Sequence, residues 1–475
     1  MRPRPWSRPN PSQRKAIVVG GGISGLAAAH RLWELNKEKG LGIHVTLLEA
    51  SPRLGGVIET ERRGDLLVEG GPDAFLAEKP WAQELCKRIG MGDELIPTNA
   101  ISRRSFIATR GKLEPMPEGF YMMAPAGMKP LMECKQLSWS GKLRIACEPF
   151  IPRRSGSGDE SVASFVRRRL GAEALARIAQ PMVGGIYAAD LETLSIKAAL
   201  PRFHNMEQEH GSILKALKKG GAKAAEKASG PRYSMFLAPR FGMIRMVEVL
   251  CRRMLEVELK TNTPVSGIER SGNRWTVRTK AGDALEADLL CLALPAHAAA
   301  SLLKTAAPQA AKELEGIPYE SVATITMAFK KEEMPVPFDG FGFVSAGRDG
   351  GVIGCTFSSI KFAHRAPAGT VLVRAFAGGA LARDAANKEN TVLEAAVRAL
   401  LKETLQITAT PKVSVVHRYF KSMPQYRVGH LERVERIEKE VAQLPGLALA
   451  GNWSHGVGIP HCIHQAELAA EALAK

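Results

Sequence analysis

The chain has 475 residues, of which 45% are apolar, and its 65 Lys and Arg against 48 Asp and Glu give a formal charge of +17. This length predicts more than one domain, and the composition excludes a disordered or fibrous protein. The charge favours nucleic acid, an anionic membrane surface or an anionic substrate as a partner, or a diffusely basic surface. No zinc-finger spacing or RNA-binding aromatic signature accompanies it, so nucleic acid is not predicted.

Cysteine usage and the N-terminal segment indicate a reducing compartment. The seven cysteines are scattered and form no CxxC pair, which predicts reduced thiols and no metal site. The basic, proline-rich residues 1–14 lack the apolar core of a signal peptide, so we expect a disordered tail. The longest apolar run, residues 289–303, is too short to span a bilayer. We therefore expect a cytoplasmic protein, and peripheral contact with the cytoplasmic face of a membrane stays open.

The first elements predict a dinucleotide site. "KAIVVG" is typical of a buried parallel strand, "SGLAAAHRLWELNKEKG" of a helix, and "HVTLLEA" of a second strand that ends on Glu49. Gly20, Gly22 and Gly25 fit G-x-G-x-x-G between strand and helix, where they allow a tight turn, close approach to a pyrophosphate and close helix packing. The carboxylate of Glu49 suits a ribose 2′-hydroxyl and disfavours NADP, but the loop leaves FAD and NAD open.

The rest of the chain alternates between helical and strand-like segments. Residues 161–180 have helical spacing, with Asp159 or Ser161 as the cap. The segment 259–297 alternates like antiparallel strands with turns at "SGN" and "AGD", and then returns to a buried strand, "LLCLALP". More strands and helices follow residue 315, and the last stretch reads as strand, glycine loop and helix.

Several blocks carry a resemblance to a known family. "EASPRLGGVIET", "VEGGPDAF" and the C-terminal strand, loop and helix resemble the FAD-dependent amine oxidase superfamily. "PMVGGIYAADLETLSIKAALP", "MPQYRVGH" and "GNWSHGVGIPHCI" are similar to the protoporphyrinogen oxidase family, and the matching blocks extend from residue 16 to the C-terminus. The resemblance implies an α/β protein with an α+β substrate part. A Rossmann-like FAD-binding domain would be interleaved with a substrate-binding domain and a helical membrane-facing domain.

The resemblance also implies boundaries for these domains. After the tail 1–14, we expect an FAD-binding domain in three pieces, a helical substrate- and membrane-facing domain, and a substrate-binding domain. The three FAD-binding pieces are 15–100, 236–300 and 441–475, the helical domain is 101–235, and the substrate-binding domain is 301–440.

The activity implied is FAD-dependent oxidation of a porphyrinogen by molecular oxygen in haem synthesis, with hydrogen peroxide as the second product. Protoporphyrinogen IX and coproporphyrinogen III both stay open as substrates, as does a homodimer. The alternative is an amine oxidase or carotenoid desaturase on the same fold, which Phe241 favours because relatives usually have a second glycine there. The block around "GGIYAADLETLSIKAALP" argues against that alternative. A non-catalytic flavoprotein-like module is a third reading, which the complete FAD signature disfavours.

The same resemblance assigns site residues, but no catalytic residue, because the flavin carries the chemistry. Arg104, or Arg103 one position away, would pair with a substrate carboxylate, and Gly184 and Gly185 would leave room for a flat ring. The implied FAD contacts are Gly20, Gly21, Gly22, Ile23, Ser24, Gly25, Glu49, Ala50, Arg53, Gly55, Gly56, Val57, Gly71, Pro72, Asp73, Ala74, Val265, Tyr419, Val457, Gly458 and Ile459.

Overall fold

A computed structural model describes residues 13–100, 104–109, 111–156, 158–219, 235–335, 340–345 and 350–475. Arg103 and all but the last two residues of the predicted tail 1–14 lie outside the described residues. Arg14 already begins the first strand.

A five-stranded parallel sheet forms the centre of the cofactor-binding part. Its strands are short apolar runs that are buried on both faces, as parallel strands covered by two layers require. In spatial order they are Glu258–Lys260, Ile43–Leu48, Arg14–Val19, Leu289–Ala293 and Leu447–Ala450. The predicted Rossmann-like arrangement is confirmed.

Helices cover one face of this sheet. Helix Ile23–Lys39 follows the first strand and packs along the C-terminal helix Ile459–Ala474. The first helix ends at Gly40, which adopts a left-handed conformation with φ +63° and closes the last turn. Helices Pro80–Arg88 and Ile244–Arg253 complete the layer.

An antiparallel three-stranded sheet covers the other face. Its strands are Val265–Ser271, Arg274–Thr279 and Ala284–Ala287, with the turns where the sequence predicts them. Trp275 is fully buried beneath it, and its indole N–H donates to the carbonyl oxygen of Pro445 at 3.2 Å. The helices on this side are Ala296–Leu303, Pro308–Glu315 and His430–Val441.

A seven-stranded sheet forms a second body. In spatial order its strands are Val413–Pro424, Tyr319–Lys330, Thr370–Gly378, Val352–Phe357, Gly342–Val344, Ser105–Thr109 and Lys112–Pro115. Helix Asn390–Leu405 packs on one face, and the short helix Ser358–Lys361 follows one strand. The last two strands come from the segment 101–235, which the sequence analysis expected to be helical. Strand Ser105–Thr109 joins the sheet by pairing in parallel with Gly342–Val344.

A helical cluster with its own core covers one end of this sheet. Ser161 caps helix Val162–Arg169 by accepting the N–H of Ser164 at 3.1 Å. A ten-residue π-helix, Leu175–Gly184, then leads into the short helix Gly185–Tyr187. The other helices of the cluster are Met128–Glu133, Trp139–Ala146, Ala172–Ala174, Ile196–Ala199, Pro201–His210 and residues 213–219.

The remaining strands form small sheets between these bodies. They are the hairpin Thr60–Arg63 and Leu66–Glu69, the pair Phe120–Tyr121 and Ala124–Pro125, and the three strands Phe75–Leu76, Phe236–Pro239 and Leu95–Pro97. In the part of the chain that the structure describes, no helix is both long and apolar enough to cross a bilayer.

Candidate active site

In the first glycine loop, two glycines are required by close packing and one faces open space. Gly20 has φ +107°, and a Cβ there would collide with the carbonyl oxygen of Ala293. A Cβ on Gly25 would overlap the carbonyl oxygen of Gly20. Gly22, in contrast, has no atom within 4 Å of its Cβ position. The backbone at Gly22 is therefore the part of the loop that a pyrophosphate can approach.

The helix after this loop offers unused donors. Gly22 is the N-cap of helix Ile23–Lys39, and no side chain caps that end. The first-turn N–H groups and the positive end of the helix dipole therefore remain for a phosphate. Ser24 in this turn is buried and hydrogen-bonds to Cys462, which links the loop to the C-terminal helix. Burial, partly opposed by Ser24, raises the pKa of the Cys462 thiol to about 12.

Glu49 connects the glycine loop to the end of the second strand. Its carboxylate accepts the N–H of Gly21 at 2.6 Å and the N–H of Ser51 at 2.8 Å. Its carbonyl oxygen accepts the N–H of Thr263 at 2.8 Å, just before strand Val265–Ser271 begins. Glu49, Ala50 and Val265 are therefore brought to one edge of the glycine loop. The carboxylate retains acceptor positions for a ribose hydroxyl.

A second loop lies directly on the first. The N–H of Gly55 donates to the carbonyl oxygen of Gly21 at 2.8 Å, and a Cβ on Gly56 would lie 3.2 Å from Cα of Gly22. Arg53 braces this loop by donating to the carbonyl oxygens of Ile58 at 3.0 Å and Gly56 at 2.6 Å. Arg53 thus supports the loop backbone, while Val57 at the tip is 45% exposed.

A third loop, residues 70–74, is held by cations and by close packing. A Cβ on Gly71 would overlap the carbonyl oxygen of Val57, so this loop also touches the second. Thr324 donates to the carbonyl oxygen of Gly70 at 2.9 Å. The buried guanidinium of Arg374 donates to the carbonyl oxygens of both Gly70 and Gly71. The seven-stranded sheet therefore fixes the loop that begins at Gly70.

Asp73 in this loop is ion-paired. Lys361 Nζ lies 2.9 Å from Asp73 Oδ2 and 3.1 Å from Oδ1. Burial alone would raise the pKa of Asp73, but the positive charges of Lys361 and Arg374 outweigh burial and hold it below its ordinary value. Asp73 is therefore a fixed negative charge next to Pro72 and Ala74.

Tyr419 joins the second and third loops from the seven-stranded sheet. Its hydroxyl donates to Glu59 Oε2 at 3.3 Å and lies 2.6 Å from the Cβ position of Gly70. Burial, together with the negative charge of Glu59, raises the pKa of this hydroxyl, so the phenol stays neutral. The structure thus places Tyr419 among the predicted cofactor residues.

The C-terminal loop supplies a second helix N-terminus. Gly458 is the N-cap of helix Ile459–Ala474, and no side chain caps it. Val457 packs against the helical cluster, so the loop connects the cofactor-binding part with that cluster. Uncapped N–H groups at Ile459 leave a positive helix end for an electron-rich group.

Gly184 and Gly185 line a pocket between the π-helix and the seven-stranded sheet. A Cβ on Gly185 would lie 3.4 Å from Val344 Cγ1, and one on Gly184 would collide with Gln180 Nε2. The pocket has a volume of about 10 Å³, so both glycines are packed closely against their neighbours. Long π-helices are rare and often occur at functional sites. The other lining residues are Gln180, Ala188, Ala189, Ser345, Ile353, Gly378, Ala380 and Leu381.

Arg104 lies at the other end of the neighbouring strand. Its carbonyl oxygen accepts the N–H of Phe341 at 2.7 Å, and Phe341 in turn accepts the N–H of Phe357. Helix Ser358–Lys361 follows directly, and Lys361 pairs with Asp73. Arg104 is exposed and is not among the described residues that line the pocket of Gly184 and Gly185. Arg104 therefore lies at the end of its strand away from that pocket.

Two residues that brace the site were missed by the sequence analysis, Lys361 and Arg374. Arg374 stands alone in the apolar run "TVLVRAFAG". A lone charge in a buried strand is rare unless it is paired, so this pattern could have identified Arg374. Lys361 carried no such signal. Among the described residues, no group of three His, Cys, Asp or Glu could hold a metal ion.

Comparison with known proteins agrees with this site. Residues 23–474 match the family described as flavin containing amine oxidoreductase. The chain is 36% identical to coproporphyrinogen III oxidase of Propionibacterium freudenreichii subsp. freudenreichii, over 98% of this chain and 91% of that protein. It is 32% identical to coproporphyrinogen III oxidase of Bacillus subtilis, over 96% and 97%.

A solved structure is also similar. A candidate protoporphyrinogen oxidase from Exiguobacterium sp. 255-15 superposes with a TM-score of 0.85 at 30% identity, covering 98% of this chain and 99% of that one. The predictions of an oxidoreductase fold and of FAD as the cofactor are confirmed. This chain therefore belongs to the flavin containing amine oxidoreductases, and its cofactor is FAD.

Proposed function

We propose that the protein oxidises a porphyrinogen to the porphyrin in haem synthesis, with molecular oxygen as the final acceptor. The observation that carries the proposal is the similarity, over at least 96% of this chain, to two proteins named coproporphyrinogen III oxidase. The open backbone at Gly22 and the two uncapped helix ends leave room for the flavin that such a reaction uses.

The glycine loops and the two uncapped helix ends would hold FAD. Gly22 and the turn Ile23–Gly25 suit the pyrophosphate, Glu49 a ribose, and Val265 the adenine side. Bound there, FAD would supply the two-electron chemistry: in each oxidation the macrocycle would give up a hydride to the flavin and a proton to the solvent, and oxygen would take up the two electrons with two protons as hydrogen peroxide. The chain's own part is to orient the ring, exclude water and stabilise charge.

The other predicted cofactor residues would surround the flavin. Asp73 lies in the third loop, and Tyr419 contacts the second and third loops. The turn Val457–Ile459 begins the C-terminal helix, which Cys462 links to the first loop. The domain boundaries given above belong to this proposal too, except that residues 105–115 join the substrate-binding domain, because their strands pair into the seven-stranded sheet. So do a homodimer and a cytoplasmic location, which gel filtration with light scattering and cell fractionation would test.

We propose coproporphyrinogen III as the substrate, in preference to protoporphyrinogen IX. The two relatives compared above carry that name and align with at least 91% of their length. Coproporphyrinogen has more carboxylates, so it gains more from a cation at the mouth of the site. Arg104, exposed at the start of strand Ser105–Thr109, would be one such cation.

The helical cluster carries a surface that suits an anionic membrane. We define the apolar patch as Trp139, Leu143 and Phe150, which are 73%, 67% and 85% exposed. Lys142 Nζ lies 4.9 Å from the centre of the Trp139 ring. Aromatic side chains next to lysines are typical of interfacial binding, where apolar rings enter the lipid and cations meet its headgroups. We propose that this patch makes the peripheral membrane contact.

Porphyrin fluorescence tests the reaction directly. Purified protein with bound FAD receives coproporphyrinogen III or protoporphyrinogen IX in air, and the rise of porphyrin emission is compared with the uncatalysed rate. Faster turnover of coproporphyrinogen III is expected. Faster turnover of protoporphyrinogen IX would reverse the substrate assignment. No rate above background with either, while FAD stays bound, would overturn the porphyrinogen proposal and leave the flavoenzyme fold intact.

A further inference from the structure

The segment Gln425–His430 lies between the helical cluster and the C-terminal loop. On one side, the carbonyl oxygen of Tyr426 accepts the N–H of Ser195 at 2.8 Å, and the N–H of Val428 donates to the carbonyl oxygen of Thr193 at 3.1 Å. These bonds attach the segment to the helical cluster whose π-helix lines the pocket. The position of this segment therefore depends on the position of the helical cluster.

On the other side, the Tyr426 side chain is bonded to the C-terminal loop. Its hydroxyl donates to the carbonyl oxygen of Asn452 at 2.6 Å and accepts the N–H of Gly456 at 3.0 Å. The side chain is only 2% exposed, so neither bond can be replaced by bulk water. One hydroxyl thus closes the loop that leads to Gly458, the N-cap of the C-terminal helix.

His430 supports Tyr426 from below. The two rings are stacked with centroids 4.0 Å apart and an angle of 12° between them. His430 Nε2 lies 3.1 Å from the carbonyl oxygen of Ser454, where it acts as the donor. Burial lowers the pKa of His430 to about 4, so the ring is neutral near pH 7. The pair therefore holds the loop at Asn452, Ser454 and Gly456.

We infer that Tyr426 is a positioning residue that fixes the start of helix Ile459–Ala474 against the flavin. This inference rests on the proposed function, which places Val457–Ile459 at the flavin. The uncapped end of that helix stabilises negative charge only while its N–H groups stay aimed at the charge. Without the hydroxyl, the carbonyl oxygen of Asn452 and the N–H of Gly456 lose a buried partner, and the loop loses its fixed position.

The test compares Tyr426→Phe with Tyr121→Phe in the flavin-loaded protein. Tyr121 is a half-buried tyrosine of the helical cluster, so its variant makes the same chemical change away from the loop. In Y426F we expect the flavin midpoint potential to become more negative. We expect kcat to fall roughly three- to tenfold, the effect of one buried hydrogen bond, with KM for coproporphyrinogen III unchanged. Y121F should match the wild-type protein in all three quantities.

A purely structural role of Tyr426 would change the melting temperature but not the flavin potential. If Y426F melts at a lower temperature but keeps the wild-type potential and kcat, Tyr426 only packs and the inference is wrong. If Y426F does not fold, the same measurements are made on His430→Phe, which keeps the stacked ring and loses the hydrogen bond to Ser454. The potential is measured without any porphyrinogen, so it decides the role of Tyr426 even if the proposed substrate is wrong.

Discussion

Lys361 and Asp73 form an ion pair, 2.9 Å between Nζ and Oδ2, that joins the seven-stranded sheet to the third cofactor loop. Replacing Lys361 with Met leaves the partly buried carboxylate of Asp73 without this partner. We expect about 2–3 kcal/mol of lost stability, a lower melting temperature and weaker FAD retention. Lys402→Met, at an exposed position on helix Asn390–Leu405, is the control. Equal melting temperatures for the two variants would contradict the expectation.

The same pair makes stability depend on acid pH. The pKa of Asp73 is lower in the folded protein than in the unfolded chain. The stabilisation that the ionised Asp73 gives the folded state is therefore complete above the ordinary aspartate pKa, near 4. This stabilisation is lost as the pH falls through the lower folded-state pKa. In Lys361→Met that acid-side loss should shrink, which melting curves between about pH 2 and pH 6 would show. An unchanged acid slope would mean that the pair is not coupled to folding.

Two glycines of the first loop separate folding from cofactor binding. A Cβ on Gly25 would overlap the carbonyl oxygen of Gly20, so Gly25→Ala should cost about 3 kcal/mol or more and impair folding. Gly22 has open space at its Cβ position and φ −70°, which alanine adopts readily. Gly22→Ala should therefore fold normally and lose FAD, because a methyl group would stand where the pyrophosphate approaches. The melting temperature and the flavin absorbance of both variants distinguish a folding defect from a loss of FAD. A Gly22→Ala protein that retains full flavin would contradict the expectation.

The sequence predicted the parts of the site whose physics is local. The strand, glycine loop and helix around Gly22 follow from spacing and from the steric needs of three glycines. Glu49 follows from its place at a strand end. Arg374 and Lys361 act on a loop about 300 residues earlier in the chain, and only the paired sheet brings them there. Helical spacing predicted a helix before Gly184, but it did not distinguish the π-helix that the structure shows.

Glu69 should make stability fall as the pH rises. Burial raises its pKa from an ordinary 4.5 to about 7, although Thr60 and Met243 donate hydrogen bonds to the carboxyl group. The folded state therefore binds a proton more tightly than the unfolded chain, and stability is lost as the pH rises between these two pKa values, by about 3 kcal/mol. In Glu69→Gln this loss should disappear, so its melting temperature relative to the wild-type protein should rise from about pH 5 to about pH 8. Glu118→Gln, at an exposed position, should show no such change; a parallel pH profile for Glu69→Gln would refute the assignment.

Arg104 tests the substrate side of the site. If its guanidinium pairs with a propionate, Arg104→Gln should raise KM for coproporphyrinogen III about tenfold, the effect of one charge-assisted hydrogen bond, with kcat little changed because the bond is made in ground and transition states alike. Arg398→Gln, on the exposed face of helix Asn390–Leu405, is the control. An effect at Arg103→Gln instead would move the role by one position, and an effect at neither would remove it from this strand.

The apolar patch tests the membrane contact. Trp139, Leu143 and Phe150 would each lose about 1.5–3 kcal/mol of favourable transfer on replacement by serine, so the triple variant should no longer sediment with vesicles of anionic phospholipid. Leu255→Ser, which removes an 81% exposed leucine from the cofactor-binding part, should sediment like the wild-type protein. High salt should weaken binding, because Lys142 beside Trp139 contributes through a charge that salt screens. Wild-type protein that stays in the supernatant at low salt would refute the membrane contact, and a triple variant that still sediments would move it to another surface.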